Sequence, residues 1–229
     1  MPLPPGDARA DALFAALARD AASRHALRGV ARLGVDGPGG SARVRQILAL
    51  ERPALLRVEI LGLLDQTQAV LTTDGTRYRL VRSQDRSVEQ GAVYDALLAD
   101  VAGLAVTPAQ AVRLLLGAPQ DASAQLEGAA QLPEGGVRLL LRSPGALERE
   151  QLDCDAAGRV QQWTRRGAAG DALLDARYGD FRPLGGVAFA REVEVRDPRT
   201  DASVHVGWSR VELNPVLAPE LFATPEAAP

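Results

Sequence analysis

Apolar positions recur along the chain with two different periods, in alternating blocks. Leu13, Phe14, Leu17, Ala18 and Ala21 return at helical spacing, and Asp7 stands where a cap would start the helix. Arg9, Asp11, Arg19, Asp20 and Arg24 occupy much of the remaining surface. So narrow and Ala-rich a stripe predicts a helix lying on a sheet. From Ala26 the pattern becomes that of strands. Ala26–Val35, Ala42–Leu50 and Ala54–Leu61 are separated by the breakers Asp36-Gly37-Pro38-Gly39-Gly40 and Arg52-Pro53. In the third, Ala54, Leu56, Val58 and Ile60 face one way and Arg57 and Glu59 the other, as in a sheet with one apolar face. Gln68–Thr73 and Thr76–Arg82 read as a hairpin around Asp74-Gly75.

The middle of the chain reads as helical again. Val93, Tyr94, Leu97 and Leu98 make a short apolar helical face. Thr107 can cap a second helix, Pro108 suits its first position, and Gln110 completes a capping box. That helix runs to Leu114, Leu115 and Leu116 and is stopped by Gly117 and Pro119. Seven further strand candidates follow: Ala122–Ala129, Gly136–Arg142, Leu147–Cys154, Arg159–Arg165, Ala172–Tyr178, Val187–Arg196 and Ser203–Leu213. Their short turns predict a meandering antiparallel sheet. In the last of them Val204, Val206 and Trp208 share a phase that Val211 and Leu213 break, which predicts a β-bulge near Ser209. A sheet with so many strands should curl. The central helices could then cover its concave face, over either an unfilled cavity or an ordinary packed core.

Composition narrows the function more than the fold. The chain has 229 residues, 46% of them hydrophobic, but aromatics make up only 4%, so Leu, Val and Ala must do the packing. Every basic residue is Arg, and the net charge of −3 supplies no basic face for nucleic acid. The lone Cys154 excludes an internal disulfide, and His25 and His205 lie far apart, so neither a metal site nor a His-driven catalytic pair is expected. No apolar run has the length of a transmembrane helix. Met1 leads directly into Pro-Leu-Pro-Pro-Gly without a visible signal peptide, so a cytosolic protein or a trimmed mature form is expected.

Catalytic motifs are missing. Gly37-Pro38-Gly39-Gly40 is not followed by the Lys-Ser/Thr of a phosphate loop, and there is no G-x-S-x-G elbow. Glu148/Glu150 and Glu192/Glu194 alternate along polar strand faces, and arginines such as Arg45, Arg57, Arg165, Arg166 and Arg177 are what an all-Arg chain scatters by chance. The expectation is a protein that is not an enzyme and carries no cofactor. One segment stands out. Ile60-Leu61-Gly62-Leu63-Leu64-Asp65 carries an apolar run past the end of a strand into a connection that would normally be polar. Leu63 and Leu64 are either tucked under a neighbouring loop or exposed to touch a membrane surface or a partner.

Several segments, in order, resemble the LolA/LolB superfamily of periplasmic lipoprotein carriers and receptors. They are Leu27-Arg28-Gly29-Val30-Ala31 after a helix, Glu51-Arg52-Pro53-Ala54-Leu55-Leu56-Arg57-Val58-Glu59, Leu71-Thr72-Thr73-Asp74-Gly75, and Leu115-Leu116-Gly117-Ala118-Pro119. The closing Val211-Glu212-Leu213-Asn214-Pro215, followed by Leu221-Phe222, is also similar. The resemblance spans most of the chain. It implies a mainly β fold: a half-open antiparallel β-barrel of about 11 strands, with an N-terminal helix and a central helical lid over an apolar cavity that holds acyl chains. Residues 1–229 would form a single domain with a flexible leader at 1–6 and a flexible tail at 223–229. The wall would come from Leu56, Val58, Ile60, Leu80, Leu139, Leu141, Val193 and Val195, and the lid from Val93, Tyr94, Leu97, Leu98 and Leu115. Receptor members of the superfamily carry a protruding loop with an exposed Leu, and Gly62-Leu63-Leu64-Asp65 matches its place. The resemblance therefore implies a LolB-like monomer that takes lipoprotein acyl chains or lipid, in part from a LolA-type carrier, at the periplasmic face of the outer membrane. It would be anchored through an N-terminal lipid-modified Cys that this chain does not contain. A LolA-like soluble carrier and a cargo-free structural lipoprotein are the alternatives. The aromatic-poor strands depart from LolA.

Overall fold

Asp7 starts the first helix as its position suggests: its carboxylate accepts hydrogen bonds from the backbone amides of Arg9 (3.1 Å) and Ala10 (3.0 Å). Helix α1 (Ala8–Ser23) then buries Ala10 and Leu17. The computed structural model describes residues 1–103 and 105–224. Twelve antiparallel pairings, eleven of them between consecutive strands, link thirteen strands into one sheet. In chain order the strands are β1 (Ala26–Gly37), β2 (Gly40–Glu51), β3 (Leu55–Leu61), β4 (Thr67–Thr73), β5 (Arg77–Arg82), β6 (Ser87–Ala92), β7 (Gln125–Gln131), β8 (Val137–Arg142), β9 (Arg149–Cys154), β10 (Val160–Arg166), β11 (Ala172–Leu184), β12 (Val187–Asp197) and β13 (Ala202–Leu213).

The spatial order is β6-β5-β4-β3-β2-β1-β13-β12-β11-β10-β9-β8-β7. Every neighbour but one is a sequence neighbour. The exception, β1 on β13, joins the two ends of the chain in mid-sheet. β6 and β7 do not pair, so the sheet stays an open, barrel-like trough. Helices α2 (Leu97–Ala102) and α3 (Pro108–Leu115) link these two edges, with α3 over β3. Thr107 and Gln110 form the expected capping box on α3, and Gly117 ends it in the left-handed conformation (φ 69°).

The bulge falls where the phase slip places it. Val30 pairs with Arg210 and Ala31 with Trp208, so Ser209 is the extra residue, and its hydroxyl donates to the Val30 carbonyl (2.9 Å). The sheet departs from expectation at β6. Ser87-Val88-Glu89-Gln90-Gly91-Ala92 has no apolar alternation because it is an edge strand, so it left no strand signal. Val93 and Tyr94 are not helical. The Val93 amide continues the ladder by donating to the Thr76 carbonyl (2.8 Å), and α2 begins only at Leu97.

The first residues of the chain are paired to the sheet. Met1–Leu3 run along β7: the Leu3 amide donates to Ala129 O (2.9 Å) and the Gln131 amide to Met1 O (2.8 Å). This backbone pairing covers an edge that would otherwise present unpaired groups. Near the other end, Phe222 is buried against β3 and β4, and the Thr224 hydroxyl donates to the Asp74 carboxylate (2.9 Å). Residues 225–229 of the expected tail lie outside the described residues.

Cavity and packed core both exist, in different parts of the trough. On the side of β8–β11, large side chains fill the concave face: Leu139, Leu141, Leu152 and Leu174 are 0% exposed and Trp163 is 1% exposed. On the side of β1–β4, β12 and β13, the concave positions hold smaller residues, such as Val35, Ala42, Val44, Ala69, Val193, Val195, Val204 and Val206. Side chains this short do not reach the helices above, and a void remains between them.

Candidate functional site: an apolar cavity under a helical roof

The void has a volume of about 270 Å³, just below the usual ~300–1,000 Å³ of small-molecule pockets. Alternation along the strands builds its floor. Leu33 and Val35 of β1, Ala42, Val44, Gln46 and Leu48 of β2, and Leu56, Val58 and Ile60 of β3 all point inward. Ala69 and Leu71 of β4 and Leu80 of β5 extend the floor one way, and Val204, Val206, Val193 and Val195 extend it across the β1–β13 seam. Leu98 and Val101 of α2, Val106, and Ala111, Leu114 and Leu115 of α3 form the roof. The surface so enclosed is almost wholly hydrocarbon, which suits an aliphatic chain and little else.

Six of the sequence-predicted wall residues meet here: Leu56, Val58, Ile60, Leu80, Val193 and Val195. Leu139 and Leu141 do not. They face the same side of the sheet but sit on β8, in the filled part of the trough. Alternation tells inside from outside, but it does not tell which stretch of a long sheet is left unfilled. Of the predicted lid, Leu98 and Leu115 line the cavity. Leu97 is buried in the core beside it, and Val93 is half-buried. Tyr94 is turned outward, its ring edge-on to Tyr78 at 5.9 Å and its hydroxyl donating to Asp100 (2.8 Å). The walls from β1, β2, β4 and β13 and the roof residues Val101, Val106, Ala111 and Leu114 were not anticipated. Their signal was present as the inward phase of each strand and the apolar face of α3. Gln46 was missed too, as the one polar residue in phase with Val44, Leu48 and Leu50.

The roof is latched at the end of α3. Arg24, only 5% exposed, donates to the carbonyls of Leu116 (3.0 Å) and Gly117 (3.3 Å), where helical carbonyls lose their partners. Asp20 holds its guanidinium at 2.5 Å. The Arg52 guanidinium donates to the Arg24 carbonyl (2.8 Å), and the Tyr178 hydroxyl to Leu114 O (3.3 Å). Burial, with Arg113 and Arg24 nearby, lowers the Arg52 pKa. Burial would raise the Asp121 carboxyl, but hydrogen bonds from Ser123 and the Arg113 ion pair at 2.5 Å hold it at about 2. Asp121 in turn donates its amide to Glu150 (3.0 Å), whose pKa burial raises.

The loop between β3 and β4 protrudes. The Gly62 amide donates to Gln66 O (2.8 Å), Asp65 takes a left-handed turn (φ 59°), and Leu63 and Leu64 stand 102% and 88% exposed. They are not tucked under anything. In an antiparallel meander the β1–β2, β3–β4 and β5–β6 connections share one end of the sheet. Val35, Ala42, Ile60 and Ala69, the wall residues nearest those connections, lie towards that same end.

The fold class is a long, half-closed antiparallel trough under two short helices. Among solved structures, the chain is similar to a LolA superfamily protein from Nitrosomonas europaea, with a TM-score of 0.63 over 92% of this chain and 97% of that one, at 12% identity. It is also similar to a DUF1329 family protein from Desulfovibrio piger (TM-score 0.59, 94% and 96%, 11% identity). A third similar structure is a domain assigned to outer-membrane lipoprotein sorting, from Vibrio parahaemolyticus (TM-score 0.56, 93% and 97%, 11% identity). At such identities the likeness is one of fold. No protein-family model matches the sequence, and no curated protein does.

Proposed function

We propose that this chain is a non-catalytic binding protein of the bacterial cell envelope that takes an acyl chain of a lipid or lipoprotein into the cavity, and that it works as a receptor at a membrane surface. The observation that carries the reading is the cavity itself: an unfilled, aliphatic-walled void beneath a latched helical roof. Among the described residues its wall offers no nucleophile, acid or base. The fold likeness to a LolA superfamily protein and to a lipoprotein-sorting domain supports the same class of cargo. Leu63 and Leu64 support the receptor role over that of a soluble carrier, because two exposed leucines at the cavity end suit contact with lipid.

Transfer would run on differential burial. Each methylene moved from water into the cavity gains about 0.8 kcal/mol, so cargo passes towards the site that buries more of it, with no nucleotide consumed at this step. Native mass spectrometry of gently purified protein, with titration of a fluorescent fatty acid, tests the proposal. Co-purifying acyl mass and saturable binding support it. A cargo-free protein that also rejects the fluorescent fatty acid overturns it.

A further inference from the structure

A second apolar tip stands at the end of the sheet where Leu63 and Leu64 protrude. The β8–β9 connection, Ser143-Pro144-Gly145-Ala146-Leu147-Glu148, turns on a hydrogen bond from the Ala146 amide to Ser143 O (3.0 Å) and leaves Leu147 78% exposed. The ladder registers place it. Arg149 pairs with Arg166, Arg166 with Ala172, Asp175 with Arg196, and Ser203 with Asp36 beside the β1–β2 turn. The β8–β9 and β3–β4 connections therefore open at one end, and they lie towards opposite edges of the sheet. Behind Leu147 three arginines stand on adjacent strands. Arg142 of β8 and Arg149 of β9 share one carboxylate, Glu127 (2.6 and 3.2 Å), and Arg166 of β10 lies directly across from Arg149. Arg166 donates to two neutral groups, Gln151 Oε1 (3.3 Å) and Gly170 O (3.1 Å). The neighbouring Glu148 is taken by Arg165 (3.4 Å). Like charges opposite each other in a ladder repel, and among the described residues these three guanidiniums have one carboxylate between them.

We infer that this end of the sheet is a two-point docking surface for an anionic lipid bilayer, with Leu147 as the second anchor and the arginine row behind it as the headgroup contact, an inference that rests on the membrane-receptor reading above. Spacing selects a bilayer. Two apolar tips set towards opposite edges of a thirteen-stranded sheet need an apolar phase that is broad and continuous. A bilayer supplies one anywhere on its surface, whereas a protein partner would need two pockets at a fixed separation. Charge selects the headgroup. A leucine that enters the acyl boundary brings the residues beside it to the depth of the phosphates, and each Arg near an anionic surface adds to the binding. The lipid then supplies the negative charge that Arg142, Arg149 and Arg166 lack within the protein. Docked on both tips, the trough stands with the Leu63 end of its cavity wall against the membrane.

The test is flotation of the full chain with vesicles of phosphatidylcholine alone and of phosphatidylcholine mixed equally with phosphatidylglycerol. Wild type should prefer the anionic vesicles, and Arg149→Gln and Arg166→Gln should each cut that preference about fivefold. Leu147→Asp should weaken binding to both vesicles by about tenfold or more, the worth of one buried Leu. Its thermal midpoint and its affinity for a fluorescent fatty acid should stay at wild-type values, because the side chain is exposed and outside the cavity wall. Combined with Leu64→Asp, the two losses should multiply. The control is Val216→Asp: Val216 is 98% exposed but follows Asn214, which is tied to Ala26 at the opposite end of the sheet, so this variant should bind vesicles as wild type does. If Leu64→Asp releases the vesicles and Leu147→Asp does not, docking uses one tip; that overturns the inference and leaves the receptor reading standing. Equal affinity of wild type for the two vesicles overturns it too, as does a loss in Val216→Asp as large as that in Leu147→Asp. Failure of wild type to bind either vesicle overturns the receptor reading and this inference together and leaves the tips to a protein partner, while acyl binding is still decided by the fatty-acid titration.

Discussion

Filling the void should strengthen the empty fold and weaken binding in the same variant. Ala111 faces the cavity from α3 and is 9% exposed. Ala111→Leu adds three carbons, which the void of about 270 Å³ has room to take. At about 0.8 kcal/mol per buried methylene, the gain is about 2 kcal/mol if the new side chain finds a relaxed rotamer. The carbons it adds displace a similar length of bound acyl chain, so affinity should fall by about 2 kcal/mol, about thirtyfold. The control is Ala176→Leu. Ala176 is 0% exposed on β11, away from the cavity wall, and the same change there should cost about 1–3 kcal/mol by overpacking. Urea denaturation gives the first quantity and fluorescent fatty-acid titration the second. If Ala111→Leu is as destabilising as Ala176→Leu, the roof is already close-packed and no cavity exists to fill. If it stabilises the protein but leaves binding unchanged, the acyl chain lies elsewhere.

Three further outcomes follow from the structure. Leu64→Asp, at an 88% exposed tip, should shift stability by no more than about 0.5 kcal/mol while cutting transfer to lipid vesicles; a loss of several times that size would mean the side chain is core. Arg24→Met removes the hydrogen bonds that close α3 and leaves Asp20 unpaired, so urea midpoints should fall by about 2–4 kcal/mol in free-energy terms, and amide exchange should rise first at α3. Asp74 and Asp121 are both held at about 2: burial would raise each, but hydrogen bonds outweigh it, from Arg77, Thr76 and Thr224 at Asp74 and from Ser123 and Arg113 at Asp121. Their contribution is complete above the ordinary carboxylate pKa and drains away as pH falls from there towards about 2. Asp121→Asn and Asp74→Asn should therefore flatten the acid limb of a midpoint-against-pH curve, and an unchanged limb would contradict the assigned hydrogen bonds.

Local chemistry left plain marks in the sequence. Asp7 and Thr107 start helices because their side chains answer free backbone amides, and such caps need no tertiary partner. The inward phase of Leu56, Val58 and Ile60, the phase slip at Ser209 and the misplaced leucines of the β3–β4 loop were equally legible, because each is a departure within a few neighbouring residues. Other features were settled only in three dimensions. β6 carries no alternation, since an edge strand needs backbone partners more than a buried face. Met1–Leu3 have no strand signature and are ordered by the free edge of β7. Leu139 and Val193 have the same local pattern, yet one fills a core and the other lines a void. What separates them is the size of the side chains that the rest of the sheet and the roof bring opposite, and that is a property of the assembled trough rather than of any segment. Gln46 lies on the same divide: its inward phase could be read from the strand, but its place in an otherwise aliphatic cavity wall appeared only once the trough was closed.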